Sequence, residues 1–86
     1  MSKVTKWYER LGVSLHTVVE GEKGFVYEIG FKREVDGSTW IYIAKVVKDR
    51  AFAKTILRIP ATLANRIADA IAGAAVKALR PPTETK

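Results

Sequence analysis

The side chains best placed to do chemistry lie in one stretch, 45-KVVKDRAFAKTILRIP-60. Lys45, Lys48, Arg50, Lys54 and Arg58 meet a single acid, Asp49, so five bases less one acid place +4 of the chain's +6 here. Phe52 sits among them. Lysine and arginine neutralise phosphates, and an aromatic face stacks on an unpaired base whatever its identity. Base faces are inaccessible in a duplex, so this mixture suits a single strand. The same residues also fit a solvated hairpin, and Phe52 could tuck under that hairpin or meet a second chain.

Other chemistry is sparse. His16 is the only histidine and falls in a strand-like segment, without the companions that a metal site or a nucleophile-activating pair needs. The acids Glu9, Glu20, Glu22, Glu28, Glu34, Asp36, Asp49 and Asp69 are scattered. Their spacing suggests neither a two-carboxylate acid–base pair nor an oxygen cage for calcium. Gly21 and Gly24 frame a turn rather than a phosphate loop, with no Gly-Lys-Ser/Thr and no following helix. The expectation is a protein that is not an enzyme, with no cofactor, no metal and no small-molecule substrate.

The elements that must position the basic stretch follow from periodicity. Residues 12–20 alternate Val13, Leu15, Thr17 and Val19 against Ser14, His16, Val18 and Glu20, which predicts a strand. Residues 24–35 alternate most clearly, with Phe25, Tyr27, Ile29 and Phe31 opposite Val26, Glu28, Gly30 and Lys32. Asp36-Gly37 then predicts a type I′ hairpin turn. Residues 38–47 are apolar on both faces, as in a central strand, with Trp40, Tyr42, Ala44 and Val46 against Ile41, Ile43, Lys45 and Val47. Residues 51–59 make a fourth strand, in which Phe52, Lys54, Ile56 and Arg58 share the outer face. Ala53, Thr55, Leu57 and Ile59 are then expected inward. Short connections imply an antiparallel meander.

Pro60 suits a helix start, and residues 61–80 read as an amphipathic helix. Leu63, Ile67, Ile71, Ala74 and Ala78 form one stripe, suited to the chain's own sheet. Ala64, Ala68, Ala72, Ala75 and Leu79 form a second, which suits close approach of another backbone and is the expected homodimer interface. The fold class is therefore α+β: a four-stranded antiparallel meander followed by one C-terminal helix, in a dimer. Residues 1–11 show no sustained period and read as an N-terminal arm or one short element, 12–80 as one domain, and 81–86 as a tail.

Composition is consistent with binding. Eighty-six residues make one small domain, near the size at which oligomerisation adds needed burial. The pI near 9.8 favours polyanionic partners. There is no cysteine, no run of about 20 apolar residues and no secretory signal, so a cytoplasmic, nucleoid-associated location without a membrane is expected. The absence of glutamine and the single asparagine, Asn65, resemble the bias of thermophile proteins.

The stretch 25-FVYEIGFKREVDGSTWIYIAKVVKDRAFAKTILRIPATLANRIADAI-71 resembles the single-stranded nucleic-acid-binding superfamily of positive cofactor four, the Whirly proteins and the Pur-alpha repeats. An aromatic-rich strand, a turn, W-I-Y-I-A, a basic loop, K-T-I-L-R-I-P and a helix follow in that order. The coactivator type carries a tryptophan just after its third strand, where this chain has Val47-Lys48, and L-R-I-P is closer to the Pur type. The resemblance implies dimers whose sheet and basic loops carry the strand. Lys32, Arg33, Lys45, Lys48, Arg50, Lys54 and Arg58 would contact the backbone, and Phe52 or Trp40 would stack on bases. The expected function is sequence-independent binding of single-stranded DNA or RNA in transcription or nucleoid maintenance. The alternatives are a chromatin protein coating double-stranded DNA and a protein–protein module using the helix.

Overall fold

The computed structural model describes residues 5–48 and 53–80. The order is α1 (Trp7–Leu11), β1 (Ser14–Glu20), β2 (Phe25–Arg33), β3 (Thr39–Val47), β4 (Ala53–Pro60) and α2 (Ala61–Leu79). The strands form one antiparallel sheet in the order β1-β2-β3-β4, so the meander and the following helix are as read from the sequence.

Within the N-terminal region, Trp7–Leu11 form a short, capped helix. The Lys6 backbone N–H donates to Glu9 Oε1 at 3.0 Å, satisfying a donor that a helix start leaves free. At the other end Gly12, at φ 73°, turns the chain and Val13 N–H donates to the Tyr8 carbonyl at 2.8 Å. The helix lays Trp7 on the sheet, where it is only 5% exposed and packs 6.4 Å from the Tyr42 ring. Its indole N–H donates to Glu28 Oε1 at 2.7 Å, giving the buried ring's one polar group a partner.

The register sorts side chains onto two unequal faces. Val26, Glu28, Gly30 and Lys32 of β2 stand beside Val46, Ala44, Tyr42 and Trp40 of β3. With Trp7 and Val13, this side holds every buried hydrophobic side chain among the described residues: Val26, Tyr42, Ala44 and Val46. It is the core face. On the opposite face Phe25, Tyr27, Ile29, Phe31 and Arg33 stand beside Val47, Lys45, Ile43, Ile41 and Thr39, and none of them is buried.

Two bulges alter the faces read by simple alternation. The β1–β2 register shifts between Leu15 and Thr17. His16 is the extra residue, so Leu15 and Val18 share the core face while Ser14, Thr17 and Val19 join the open one. Gly30 permits this approach, because a Cβ there would strike the Ser14 carbonyl and come within 2.8 Å of Val13 Cγ1. A second shift, between Lys45 and Val46, leaves Lys54 as the extra residue and sets Ala53 on the core face with Ile56 and Arg58. The expectation that Thr55, Leu57 and Ile59 point into the core is therefore corrected. They lie on the open face, and Leu57 is 50% exposed.

The Asp36-Gly37 hairpin also differs from a two-residue type I′ turn. Gly37 N–H donates to the Glu34 carbonyl and Glu34 N–H to the Ser38 carbonyl, so the turn centres on Val35-Asp36, and Gly37 follows at φ 93°. This is the three-residue loop with a glycine bulge.

Helix α2 follows directly on Pro60, the extended residue at its N-terminal boundary, at φ −63° and ψ 136°. Only Ala61, Ala64 and Ile67 are partly covered, and no residue of the helix is buried. The Leu63–Ala78 stripe expected against the chain's own sheet is mostly uncovered, with Ile71 more than half exposed. The helix meets the sheet only over its first two turns and then runs on beyond it.

Candidate nucleic-acid interface

The residues expected to bind nucleic acid do not form one patch. Arg50 and Phe52 lie outside the described residues. Arg33 and Lys45 are on the open face, and Lys32, Trp40 and Arg58 are on the core face. Lys54 is the exposed bulge residue. Lys48 lies in the turn after β3, 3.7 Å from Glu20 Oε1. Lys32 is likewise near a carboxylate, Glu34, at 3.9 Å. Exposed pairs of this length contribute little and exchange readily for phosphate.

Two aromatic–cation pairs result, one on each side of the sheet. On the core face the Arg58 guanidinium lies 3.8 Å from the centre of the Trp40 ring, whose N–H donates to Ser38 Oγ at 3.2 Å. The depression beside this pair is bordered by Glu34 and Asp36. Hydrogen bonds from the Ser38 hydroxyl and backbone N–H hold the Asp36 carboxyl below its ordinary range, so it stays charged at neutral pH and opposes a phosphate. Trp40 is thus occupied by Arg58 and edged by acids.

On the open face Lys45 Nζ lies 4.6 Å from the centre of the Phe25 ring. Tyr27, directly opposite Lys45 in the register, donates its hydroxyl to Glu22 Oε1 at 3.2 Å. The Glu22 carboxyl is held below its usual value by a backbone hydrogen bond at Glu22, then by the Tyr27 hydroxyl and the charge of Lys45. Further along β2, Phe31 is 45% exposed. It borders a hollow of about 430 Å³ with Gly12, Ser14, Lys32, Arg33 and Thr39. Six residue steps from Phe25 to Phe31 span about 20 Å, so three aromatic rings line one row with a cation near each end.

Phe25, Tyr27 and Phe31 were legible in sequence as one alternating face, yet nothing in that alternation said the face was open. The missing signal is α1, which covers the opposite side.

Of the expected dimer residues, Ala64 is partly covered by its own chain, while Ala68, Ala72, Ala75 and Leu79 are exposed, Leu79 at 82%. Among the described residues no three His, Cys, Asp or Glu side chains group as a metal site, and no helix is long and apolar enough to cross a membrane. No protein-family model, curated protein or solved structure matches the chain.

Proposed function

We propose that the protein binds single-stranded DNA or RNA on the open face of its sheet, without catalysis and largely without regard to sequence. The observation that carries this reading is the row Phe25, Tyr27 and Phe31 on a face with no buried side chain, flanked by Lys45 and Arg33. Bases stack on the rings and phosphates meet the cations, with Lys48 and Lys54 extending the charge at the Phe25 end. The resemblance of strand and helix order to the positive-cofactor-four superfamily supports the same reading and a role in transcription or nucleoid maintenance. The binding surface moves, however, from the Phe52–Arg58 strand to β2.

The test is fluorescence anisotropy with a single-stranded oligonucleotide, its duplex and the matching RNA. Tyr27→Ala and Phe31→Ala should each weaken single-strand binding by about 5- to 150-fold, the equivalent of ~1–3 kcal/mol per stacked base. Trp40→Ala should leave it nearly unchanged. Four cations, Arg33, Lys45, Lys48 and Lys54, predict a salt slope of about −2.8, or about 50-fold lost between 50 and 200 mM salt. Duplex binding as tight as single-strand binding, insensitive to both aromatic substitutions, would overturn the proposal in favour of a duplex-coating protein. Absence of binding to all three probes at low salt would remove nucleic acid altogether.

A further inference from the structure

The aromatic row of β2 ends where the sheet loses a strand. β1 begins only at Ser14, opposite Phe31, because the chain comes off α1 through the turn at Gly12. Among the described residues, Lys32 and Arg33 therefore have a neighbouring strand on the β3 side alone, where they stand opposite Trp40 and Thr39. Their side chains leave on opposite faces, yet without a strand between them both border the hollow of about 430 Å³ at Phe31. The Lys32 side chain lies against the turn, since a Cβ on Gly12 would sit 3.8 Å from its ammonium nitrogen. Ser14 and Thr39 complete the wall, each with a hydroxyl.

This lining holds two cations, one aromatic ring and two hydroxyls, and no acid. The depression beside Trp40 is bordered by Glu34 and Asp36 as well as Arg58. Glu34 reaches toward Lys32 only through the half-exposed 3.9 Å pair, which yields to a more highly charged anion. A phosphate monoester carries about −1.5 to −2 at neutral pH and has three strong acceptor oxygens, so it matches two cations and two hydroxyl donors. A phosphate that links two nucleotides carries a single charge and uses only part of that set. Beyond Arg33 a strand would run onto Glu34 and Asp36, and Asp36 is held ionised by Ser38. At the Phe25 end Lys45 and Lys48 let it run on. The charges thus favour a strand that stops in the hollow.

We propose that this hollow is an end-binding subsite, which takes the terminal phosphate monoester of a single strand whose last base stacks on Phe31. The inference rests on the single-strand reading of the open face and adds a direction to it: the strand enters at Phe25 and terminates at Arg33. Lys32, which has no part in binding along the row, becomes the partner of Arg33 at the terminal phosphate. The 5′ and 3′ monoesters share this chemistry, and the one accepted fixes the polarity of the strand along β2.

Three unlabelled oligonucleotides of one sequence, about six nucleotides long, compete against a labelled single strand. One has no terminal phosphate, one a 5′-phosphate and one a 3′-phosphate. One phosphorylated form should bind about 10-fold more tightly than the unphosphorylated one, the gain expected of charge-assisted hydrogen bonds, and the other should gain much less. Lys32→Gln and Thr39→Val should each lower that ratio toward unity, whereas Lys48→Gln should weaken all three competitors and leave the ratio intact. Equal affinity for the three, or equal gains from both phosphates, overturns the inference; the single-strand reading then stands if Tyr27→Ala still weakens the unphosphorylated strand. A gain that survives both Lys32→Gln and Thr39→Val places the phosphate elsewhere and overturns it as well. A labelled strand that fails to bind at low salt removes both the subsite and the reading beneath it.

Discussion

Removal of the Trp7 side chain tests which face of the sheet is the core. In Trp7→Ala the lost ring is 95% buried, packs on Tyr42 and Tyr8, and carries the N–H that meets Glu28. Truncating a buried tryptophan costs about 3–5 kcal/mol through lost transfer energy and the cavity left behind. A chain of this length has about 4–13 kcal/mol of total stability, so one substitution on a five-residue helix removes about a quarter of it or more. For a domain of this size each kcal/mol lowers Tm by about 4–8 °C, so a fall of at least about 12 °C is expected.

The assay is thermal and urea unfolding followed by circular dichroism at fixed protein concentration, because self-association would make Tm depend on that concentration. Trp7→Phe separates packing from hydrogen bonding. It retains much of the ring but leaves the half-buried Glu28 carboxylate without its donor, at a cost of about 1–3 kcal/mol. Glu28→Gln in that background should recover part of the loss. Single-strand affinity, measured well below the new Tm, should hold, because Trp7 and the Phe25–Phe31 row lie on opposite sides. A fall in Tm of less than about 4 °C for Trp7→Ala would refute the assignment of the core face, since it would mean ~1 kcal/mol or less from the most buried large side chain.

Gly30→Ala should lose about 1–3 kcal/mol in urea unfolding, because the new methyl group collides with β1 backbone at the Leu15–Thr17 bulge. Wild-type stability in this experiment would place that bulge elsewhere. The pH dependence follows from Glu22 and Asp36, both lowered from ordinary values of 4.5 and 3.8. The unfolded state binds protons first, so their stabilisation is complete above those values and disappears as pH falls through the lower folded ones. Tm should therefore drop between about pH 5 and pH 2 and drop less steeply in Glu22→Gln/Asp36→Asn.

The strands and α2 were legible because each is long enough to show its period. Phe25 to Lys32 alternates without a break, and α2 starts and ends within a residue of its expected span. The bulges at His16 and Lys54 were not legible, because one inserted residue reverses the faces of everything beyond it while leaving the local alternation intact. Nor could the sequence choose the core side: β3 is apolar on both faces, and the more apolar face of β2, Phe25 to Phe31, is the one left open. That choice rests on α1, whose five residues are too few for a helical period and whose only marks are the Lys6–Glu9 spacing, Gly12 and the large ring of Trp7. The described part of the basic segment is divided for the same reason. Its charge is real, but the bulge and the register divide it between opposite faces, and Arg58 stacks on Trp40 instead of joining Lys45.

The two surfaces left uncovered differ in chemistry. Helix α2 has no aromatic residue, and its exposed apolar side chains are alanine, valine, isoleucine and leucine. Such a surface offers shape for close packing but no flat ring for a base and no cation among those side chains for a phosphate. The open sheet face has three aromatic rings in a row, cations at both ends, and exposed Ser14, Thr17 and Thr55 among its aliphatic residues. A helix docked there would bury Arg33 and Lys45 without an acidic partner of its own, since Asp69 is the only acid in α2 and lies on its polar arc. A polyanion with unpaired bases satisfies both the rings and the charges. On the proposed reading, the single strand therefore takes the sheet and not the helix.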